Sequence, residues 1–360
     1  TRCLSDWSSD VCSSDLDATF NPWLGCAPVS PACDSCYAEV STPVKSLGVI
    51  WGPGQERRRT SAQNWKLPVR WNRQAFWECK DCGARFGTPR DAVCASCAAL
   101  ATGTSTGTRL SPARRRVFCA SLADVFDNEV DPAWRADLFE LIVATPNLDW
   151  LLLTKRIGNV RRMVEAATGS TSLPANVWLG ATIANQEEAD RDIRKLLAID
   201  CRVRFLSVEP MLGPISLRWA PYAHQAEGRG YREYLESRGQ VNEYEALRKL
   251  DWVIVGGESG SNARPMNPAW ARTLRDECAA AEVAFLFKQW GENLPAELSP
   301  HPDYPKATEA WRLDQAGNRW HRPAEAGAAT IDRVVYTRVG KKAAGDLLDG
   351  RRHHAFPEIS

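Results

Sequence analysis

Trp150-Leu151-Leu152-Leu153-Thr154 is a wholly apolar run closed by a hydroxyl residue, and Lys155-Arg156 and a basic helical pattern near 159–167 follow it. A strand without polar alternation buries both faces, as strands do in a parallel sheet covered on each side. The unit recurs in both directions along the chain. Val117-Phe118-Cys119-Ala120-Ser121 precedes a helical pattern at 132–144, Val177-Trp178-Leu179-Gly180-Ala181 precedes one near 186–198, and another strand follows at 202–207. Trp252-Val253-Ile254-Val255-Gly256 precedes a helix near 269–281, and Ala284-Phe285-Leu286-Phe287-Lys288 comes after it. With a strand near 18–23 the count reaches about seven β/α units. The pattern predicts an α/β fold, a full or partial parallel β/α barrel of the TIM-like kind, over 17–357.

Three stretches break this rhythm and read as insertions. Residues 79–116 hold a cysteine group, a Gly/Thr/Ser-rich linker at 101–108 and Arg114-Arg115-Arg116. Residues 219–249 are polar, rich in Arg and Glu, with a helical pattern. Residues 293–330 are rich in proline, alanine and charge, and their weak periodicity predicts irregular structure. Such excursions sit at the functional rim of a scaffold or are tolerated surface additions. Residues 1–16 stand apart, because Asp6-Trp7-Ser8-Ser9-Asp10-Val11-Cys12-Ser13-Ser14-Asp15-Leu16 resembles a translated sequencing-library adapter. This leader is expected to be non-native. No internal repeat is visible.

The charge balance, 45 Lys and Arg against 44 acids, leaves a formal +1 and no global field for nucleic acid or an anionic membrane. Contact with nucleic acid would have to be local. No apolar run approaches the roughly 18 residues of a membrane span, so the expectation is a cytoplasmic protein with no membrane partner. In such a compartment grouped cysteines mean metal before disulfide. Cys119, Cys201 and Cys278 are scattered in apolar or helical surroundings and read as buried small hydrophobes.

The sharpest signal is Asn21-Pro22-Trp23-Leu24-Gly25-Cys26, six residues, then Cys33-Asp34-Ser35-Cys36-Tyr37-Ala38-Glu39. Three thiolates are one short of what zinc or an ordinary cubane takes. A 4Fe-4S cluster on Cys26, Cys33 and Cys36 would leave one iron open to an external ligand. The five histidines stand far off in sequence, at 224, 301, 321, 353 and 354. The competing reading is structural zinc with a distant fourth ligand. The loop follows the first predicted strand, which puts it at the carboxyl face of a barrel.

Each predicted strand also ends in polar residues: Asp124, Thr154-Lys155-Arg156, Thr182 and Asn185, Ser207 and Glu209, Glu258 and Ser259, Lys288 and Gln289. Six such clusters at one end of successive strands predict a shared pocket, although each residue taken singly reads equally well as a helix-capping acid, a surface cation or one side of an ion pair between neighbouring loops. Gly256-Gly257 lets a backbone approach a ligand closely. Lys155, Arg156, Lys288 and Arg264 have the chemistry to receive a carboxylate or phosphate. Lys155, Glu209, Glu258 and Lys288 are the candidate catalytic residues. Tyr37, Thr154, Arg156, Ser207, Gly256, Gly257, Ser259 and Gln289 are the candidate cofactor-binding ones.

The Asn-Pro-x-x-Gly-Cys and Cys-x-x-Cys-Tyr-Ala elements resemble the cluster loop of spore-photoproduct-lyase-like radical SAM enzymes, with a longer gap between the first two cysteines. That resemblance implies a radical-SAM-like barrel, S-adenosylmethionine on the open iron and an electron donor. Glu258, after Gly256-Gly257, resembles the Gly-Gly-Glu motif that accepts from the cofactor ammonium, though theirs follows an early strand and this one a late strand. From Asp17 to Pro357 the chain is similar to the phage gene-product thirty-seven/sixty-eight family, the three-Cys-motif proteins. The similarity rests on Leu153-Thr154-Lys155-Arg156, Ser207-Val208-Glu209-Pro210-Met211-Leu212-Gly213-Pro214, Val255-Gly256-Gly257-Glu258-Ser259-Gly260, Phe287-Lys288-Gln289-Trp290-Gly291-Glu292 and Arg338-Val339-Gly340-Lys341-Lys342. It implies a phage or mobile-element setting, a partner protein encoded nearby, and nucleic acid or a precursor as the substrate class.

Cys79-Lys80-Asp81-Cys82 and Cys94-Ala95-Ser96-Cys97 are paired knuckles that fill all four positions of a tetrahedral zinc. Structural zinc in a small inserted ribbon is the expectation, with Gly83 relieving the knuckle turn. Whether that ribbon and Arg114-Arg115-Arg116 hold a nucleic-acid strand, or the metal merely staples a segment with little core, stays open. Three functions compete: a radical-SAM-like enzyme, a cluster enzyme using its open iron as a Lewis acid, and a nucleic-acid-binding or regulatory protein whose metals are purely structural.

Overall fold

The computed structural model describes residues 16–87, 94, 109–219, 243–295, 298, 308–313, 320–321 and 332–358. Apart from Leu16, the leader expected over 1–16 lies outside them. The main sheet has seven strands: β1 Ala18–Thr19, β2 Arg115–Cys119, β3 Leu148–Thr154, β4 Val177–Thr182, β5 Val203–Val208, β6 Trp252–Gly256 and β7 Ala284–Gln289. They lie side by side in chain order, all parallel, and curl into a half-barrel. The barrel is thus partial. Helices α1 Pro132–Val143, α2 Val160–Thr168, α3 Gln186–Leu197 and α4 Pro268–Ala281 occupy four of the connections. No helix among the described residues is long and apolar enough to cross a membrane.

The chain divides into two compact units, one of residues 1–27, 41–153 and 161–178, the other of 28–40, 154–160 and 179–360. In the first, β2 pairs with β1 through Ala18↔Val117 and with β3 through Val117↔Trp150. Phe20 sits edge-on to both Trp65 and Trp150, with ring centroids 5.7 Å away in each case. Asp131 caps α1 by accepting from the Ala133 N–H, and Leu138, Phe139 and Ile142 bury its inner face. Phe76–Cys79, Arg85–Gly87 and Leu110–Pro112 form a separate antiparallel sheet of three strands.

Arg115 and Arg116, expected to trail an insertion, instead open strand β2. The Arg116 guanidinium lies 5.6 Å from the Trp178 ring centre, and the Arg116 N–H donates to Asp17 Oδ2 at 2.8 Å. Burial, helped by the neighbouring Arg85 charge, pulls its pKa down to about 10. Arg115 packs over Phe76, and Arg114 donates to the Pro146 carbonyl. These guanidinium groups are spent on the fold.

In the second unit, β6 pairs with β5 through Leu206↔Val253 and with β7 through Val253↔Phe285. Residues 293–330, expected to be irregular, contribute Asn293–Pro295, Thr308–Leu313 and Trp320–His321 to an antiparallel sheet completed by Asp332–Arg338. Strands this short carry too few alternations to stand out from sequence alone. Of 219–249 most lies outside the described residues; Leu247–Lys249 forms one tight turn.

Within the same unit, the ideal Cβ of a residue replacing Gly180 would fall 2.3 Å from the ring of Phe205. Gly180→Ala should therefore cost about 1–3 kcal/mol of stability. Phe205→Leu in the same chain should restore part of that loss, as read from denaturant midpoints. Equal midpoints for wild type and Gly180→Ala would contradict this packing.

Candidate functional site

In the second unit, Ser30 caps a tight turn over Pro31–Cys33 by accepting from the Ala32 N–H at 3.1 Å, and the Cys33 N–H reaches the Ser30 carbonyl at 2.9 Å. Cys33, Cys36 and Tyr37 are half-buried. Burial raises the Cys36 thiol pKa, while the Lys155 charge and the backbone N–H groups of Glu39 and Ala38 act the other way. Those are the donors a thiolate sulfur uses when it is ionised. Cys26 belongs to the first unit. There Gly25 has φ +103°, with Arg57 Cδ 3.1 Å from where a Cβ would stand, so only glycine fits before Cys26. The Cys26 carbonyl accepts from the Gly52 N–H at 2.9 Å.

The cysteine loop is tied to the loop after β6. Arg264 donates to Glu258 through its backbone N–H at 2.7 Å, Nε at 2.8 Å and a terminal nitrogen at 2.5 Å. The same guanidinium reaches Asp34 Oδ2 at 3.0 Å and the Pro31 carbonyl at 2.9 Å. Glu258 is only 5% exposed. Burial works against the Arg264 charge, but Glu258 and Asp34 outweigh it and hold the pKa above the ordinary arginine value. Glu258, expected to accept from a cofactor ammonium, is therefore engaged by Arg264.

A second polar group stands at the ends of β5 and β7. Lys288 Nζ donates to Glu209 Oε2 at 2.7 Å, and Gln289 Nε2 to Glu209 Oε1 at 3.0 Å and the Gly257 carbonyl at 2.8 Å. The Glu209 carboxylate takes the space a side chain on Gly256 would need, its Oε1 lying 2.9 Å from the ideal Cβ. A Cβ on Gly257 would fall 1.9 Å from the Trp290 carbonyl oxygen. The glycine pair thus makes room for the protein's own groups. Thr154 is buried and its hydroxyl accepts from the Arg156 N–H at 2.8 Å. Ser207 is buried and Ser259 half-buried. Asn185 caps α3 by accepting from the Glu188 N–H, so its polar group serves the helix. The Thr182 hydroxyl and Gln289 Oε1 are buried with no partner among the described residues.

Three residues given no role by the sequence reading brace this region. Asp34 receives Arg264, the Gly260 N–H donates to Glu292 Oε1 at 3.3 Å, and Arg338 donates to the carbonyls of Gly260 and Ser261 at 2.7 and 2.9 Å. Glu292 and Arg338 lie in the quoted motifs, which was the available signal.

In the first unit, the sulfurs of Cys79, Cys82 and Cys94 lie within 4.8 Å of one another, a spacing suited to one ion. Gly83, at φ +71°, donates its N–H to the Cys79 carbonyl at 2.8 Å and makes the expected knuckle turn. Cys97 lies outside the described residues. Cys119 and Cys278 are fully buried and their thiol pKa values are pushed up by that burial; Cys201 is pushed up to about 11 for the same reason. All three fit packing rather than reactivity.

The fold and site define a partial parallel β/α barrel protein with a thiol group able to hold a metal. The chain belongs to the family described as "Protein of unknown function (DUF5131)", which matches residues 14–357. Among solved structures, a double mutant of spore photoproduct lyase with bound AdoMet and dinucleoside spore photoproduct is similar over 89% of this chain and 68% of its own. The identity is 10% and the TM-score 0.34. No curated protein matches.

Removing Arg264 strands a buried carboxylate, whereas removing Asp34, whose side chain is 61% exposed, does not. Arg264→Met is expected to cost about 3–5 kcal/mol and Asp34→Ala about 1 kcal/mol or less, both from denaturant unfolding. Adding Glu258→Gln to Arg264→Met should recover part of the loss. Equal costs for the two single variants would refute this order.

Proposed function

We propose that this protein is an iron–sulfur enzyme with radical-SAM-like chemistry, and that Cys26, Cys33 and Cys36 hold a 4Fe-4S cluster. The observation that carries this reading is the donor set: three soft thiols within eleven positions and no histidine near them in sequence. Burial raises the Cys36 thiol pKa, and Lys155 with the backbone N–H groups of Glu39 and Ala38 offsets part of that rise, so these groups would support the sulfur once a metal has displaced its proton. Held by Cys26, Cys33 and Cys36, such a cluster would supply the electron for reductive cleavage of S-adenosylmethionine.

The chain's own residues then bind and orient. Lys155 offsets negative charge at the thiolates. Arg156 and Lys288 receive a carboxylate or phosphate, with Glu209 and Gln289 fixing the position of Lys288. Tyr37, Thr154, Ser207, Gly256, Gly257 and Ser259 shape the cofactor's surroundings. Glu258 acts through Arg264 as a positioning residue for the cysteine loop. An external electron donor is required. The substrate is nucleic acid or a precursor by family association, in a phage or mobile-element setting, with a partner protein encoded nearby and a cytoplasmic location. Cys79, Cys82, Cys94 and Cys97 hold structural zinc, supported by the three clustered sulfurs.

Anaerobic purification should yield brown protein with about four iron and four sulfide and about one zinc per chain. Cys33→Ala should lose the iron and keep the zinc; Cys94→Ala should do the reverse. With dithionite and S-adenosylmethionine the intact protein should release deoxyadenosine and methionine. A colourless, zinc-only preparation would overturn the cluster. A full cluster that leaves S-adenosylmethionine untouched would overturn the radical chemistry and favour the Lewis-acid alternative.

A further inference from the structure

In the first unit, the short helices Ala62–Trp65 and Leu67–Asn72 meet at Lys66, which ends one and precedes the other. Lys66, Arg70 and Arg73 follow one another at spacings of four and three, so they share a face. All three are exposed, and none has a carboxylate partner among the described residues. Together with Trp65, Val69 and Gln74 they line a cavity of about 440 Å³ with no acid in its wall. Arg115 adjoins it, donating to Gln74 Oε1 at 3.4 Å. Its pKa is lowered chiefly by burial; Asp17 opposes this, and Arg70 adds a smaller lowering. The face is locally positive although the chain carries a net charge of only +1.

Crowded cations of one sign repel each other and are relieved by a polyanion. Trp65 decides which kind. It is half-buried and anchored, with the Arg59 guanidinium 4.3 Å from its ring centre and Arg59 in turn 2.6 Å from Asp137. Its indole N–H has no partner among the described residues. Two guanidinium forks beside an aromatic wall match phosphates carrying bases, whereas an acidic peptide brings carboxylates without a π-surface.

We propose that this face binds polynucleotide phosphates: Lys66, Arg70 and Arg73 contact successive backbone phosphates, and Trp65 rests against a sugar or base. Backbone contacts position the polymer without reading its sequence. The proposal does not depend on the cluster and survives its failure.

The test is fluorescence anisotropy of the full chain with a labelled mixed-sequence DNA oligonucleotide, single-stranded and as its duplex, over a range of salt. Lys66→Ser/Arg70→Ser/Arg73→Ser should bind at least about tenfold more weakly. The slope of log Kd against log salt should fall by about 2 for the single strand and about 3 for the duplex. Arg70→Ser alone should lower the single-strand slope by about 0.7, which keeps the test decisive if the triple variant fails to fold. Trp65→Ala should weaken single-strand binding while leaving the slope unchanged. Absence of binding by the wild-type chain, an unchanged slope in the variants, or competition by poly-glutamate equal to that of unlabelled oligonucleotide would each overturn the proposal.

Discussion

A carboxylate buried as deeply as that of Glu258 is tenable only with a cation beside it, because desolvation otherwise drives it to neutralise. Arg264 meets that demand and, having more donors than Glu258 can accept, also reaches Asp34 and the Pro31 carbonyl. One ion pair thereby fixes the loop after β6 and half of the cysteine loop in a single arrangement. The neighbouring backbones reinforce it. The Glu292 N–H donates to the Glu258 carbonyl at 3.0 Å, and a Cβ on Gly291 would fall 2.2 Å from that same oxygen. No larger residue fits at Gly257 or Gly291 without parting the strand ends. The polar groups around Glu209 and Lys288 stand on this braced foundation.

The sheet was legible because each of its long strands is an apolar run with a helix-length interval beside it, a pattern that only a parallel sheet with covered faces explains. Where charge interrupts a strand the reading fails. Arg115 and Arg116 look like a linker's end in sequence, yet they belong to β2, with Asp17 and the ring of Trp178 accommodating the second of them. The convergence of Cys79, Cys82 and Cys94 was legible from knuckle spacing. The pairing of Arg264 with Asp34 spans 230 positions and leaves no local trace, so the sequence offered Arg264 as a receiver of anions or one side of an ion pair between loops without showing which acid it would meet. Likewise Gly256-Gly257 suggested space for a ligand, and only coordinates show Glu209 and the Trp290 carbonyl in that space.

The two thiol groups illustrate how donor number separates structure from chemistry. Four thiols at knuckle spacing would saturate a tetrahedral ion, which then has nothing left to offer a substrate. The turn at Gly83, closed by its N–H on the Cys79 carbonyl, brings Cys79 and Cys82 together. Cys33 and Cys36 also sit in a loop capped by Ser30, where burial raises the Cys36 thiol pKa and Lys155 and backbone N–H groups offset only part of the rise.

Near-neutral net charge hides an uneven distribution. In the first unit Arg57 is matched by Asp127 and Glu129, Arg85 by Asp17 and Glu78, and Arg59 by Asp137. Each of those acids is placed where a strand end, a buried turn or an aromatic wall needs a guanidinium held still. The acids so spent are unavailable elsewhere, and Lys66, Arg70 and Arg73 are left with each other on one helical face. Stability alone would favour an acid among them, since opposite charges at that spacing stabilise a helix and like charges do not. An acid-free cluster of cations beside a tryptophan held by Arg59 is thus the place in this unit where an approaching polyanion would meet uncompensated charge.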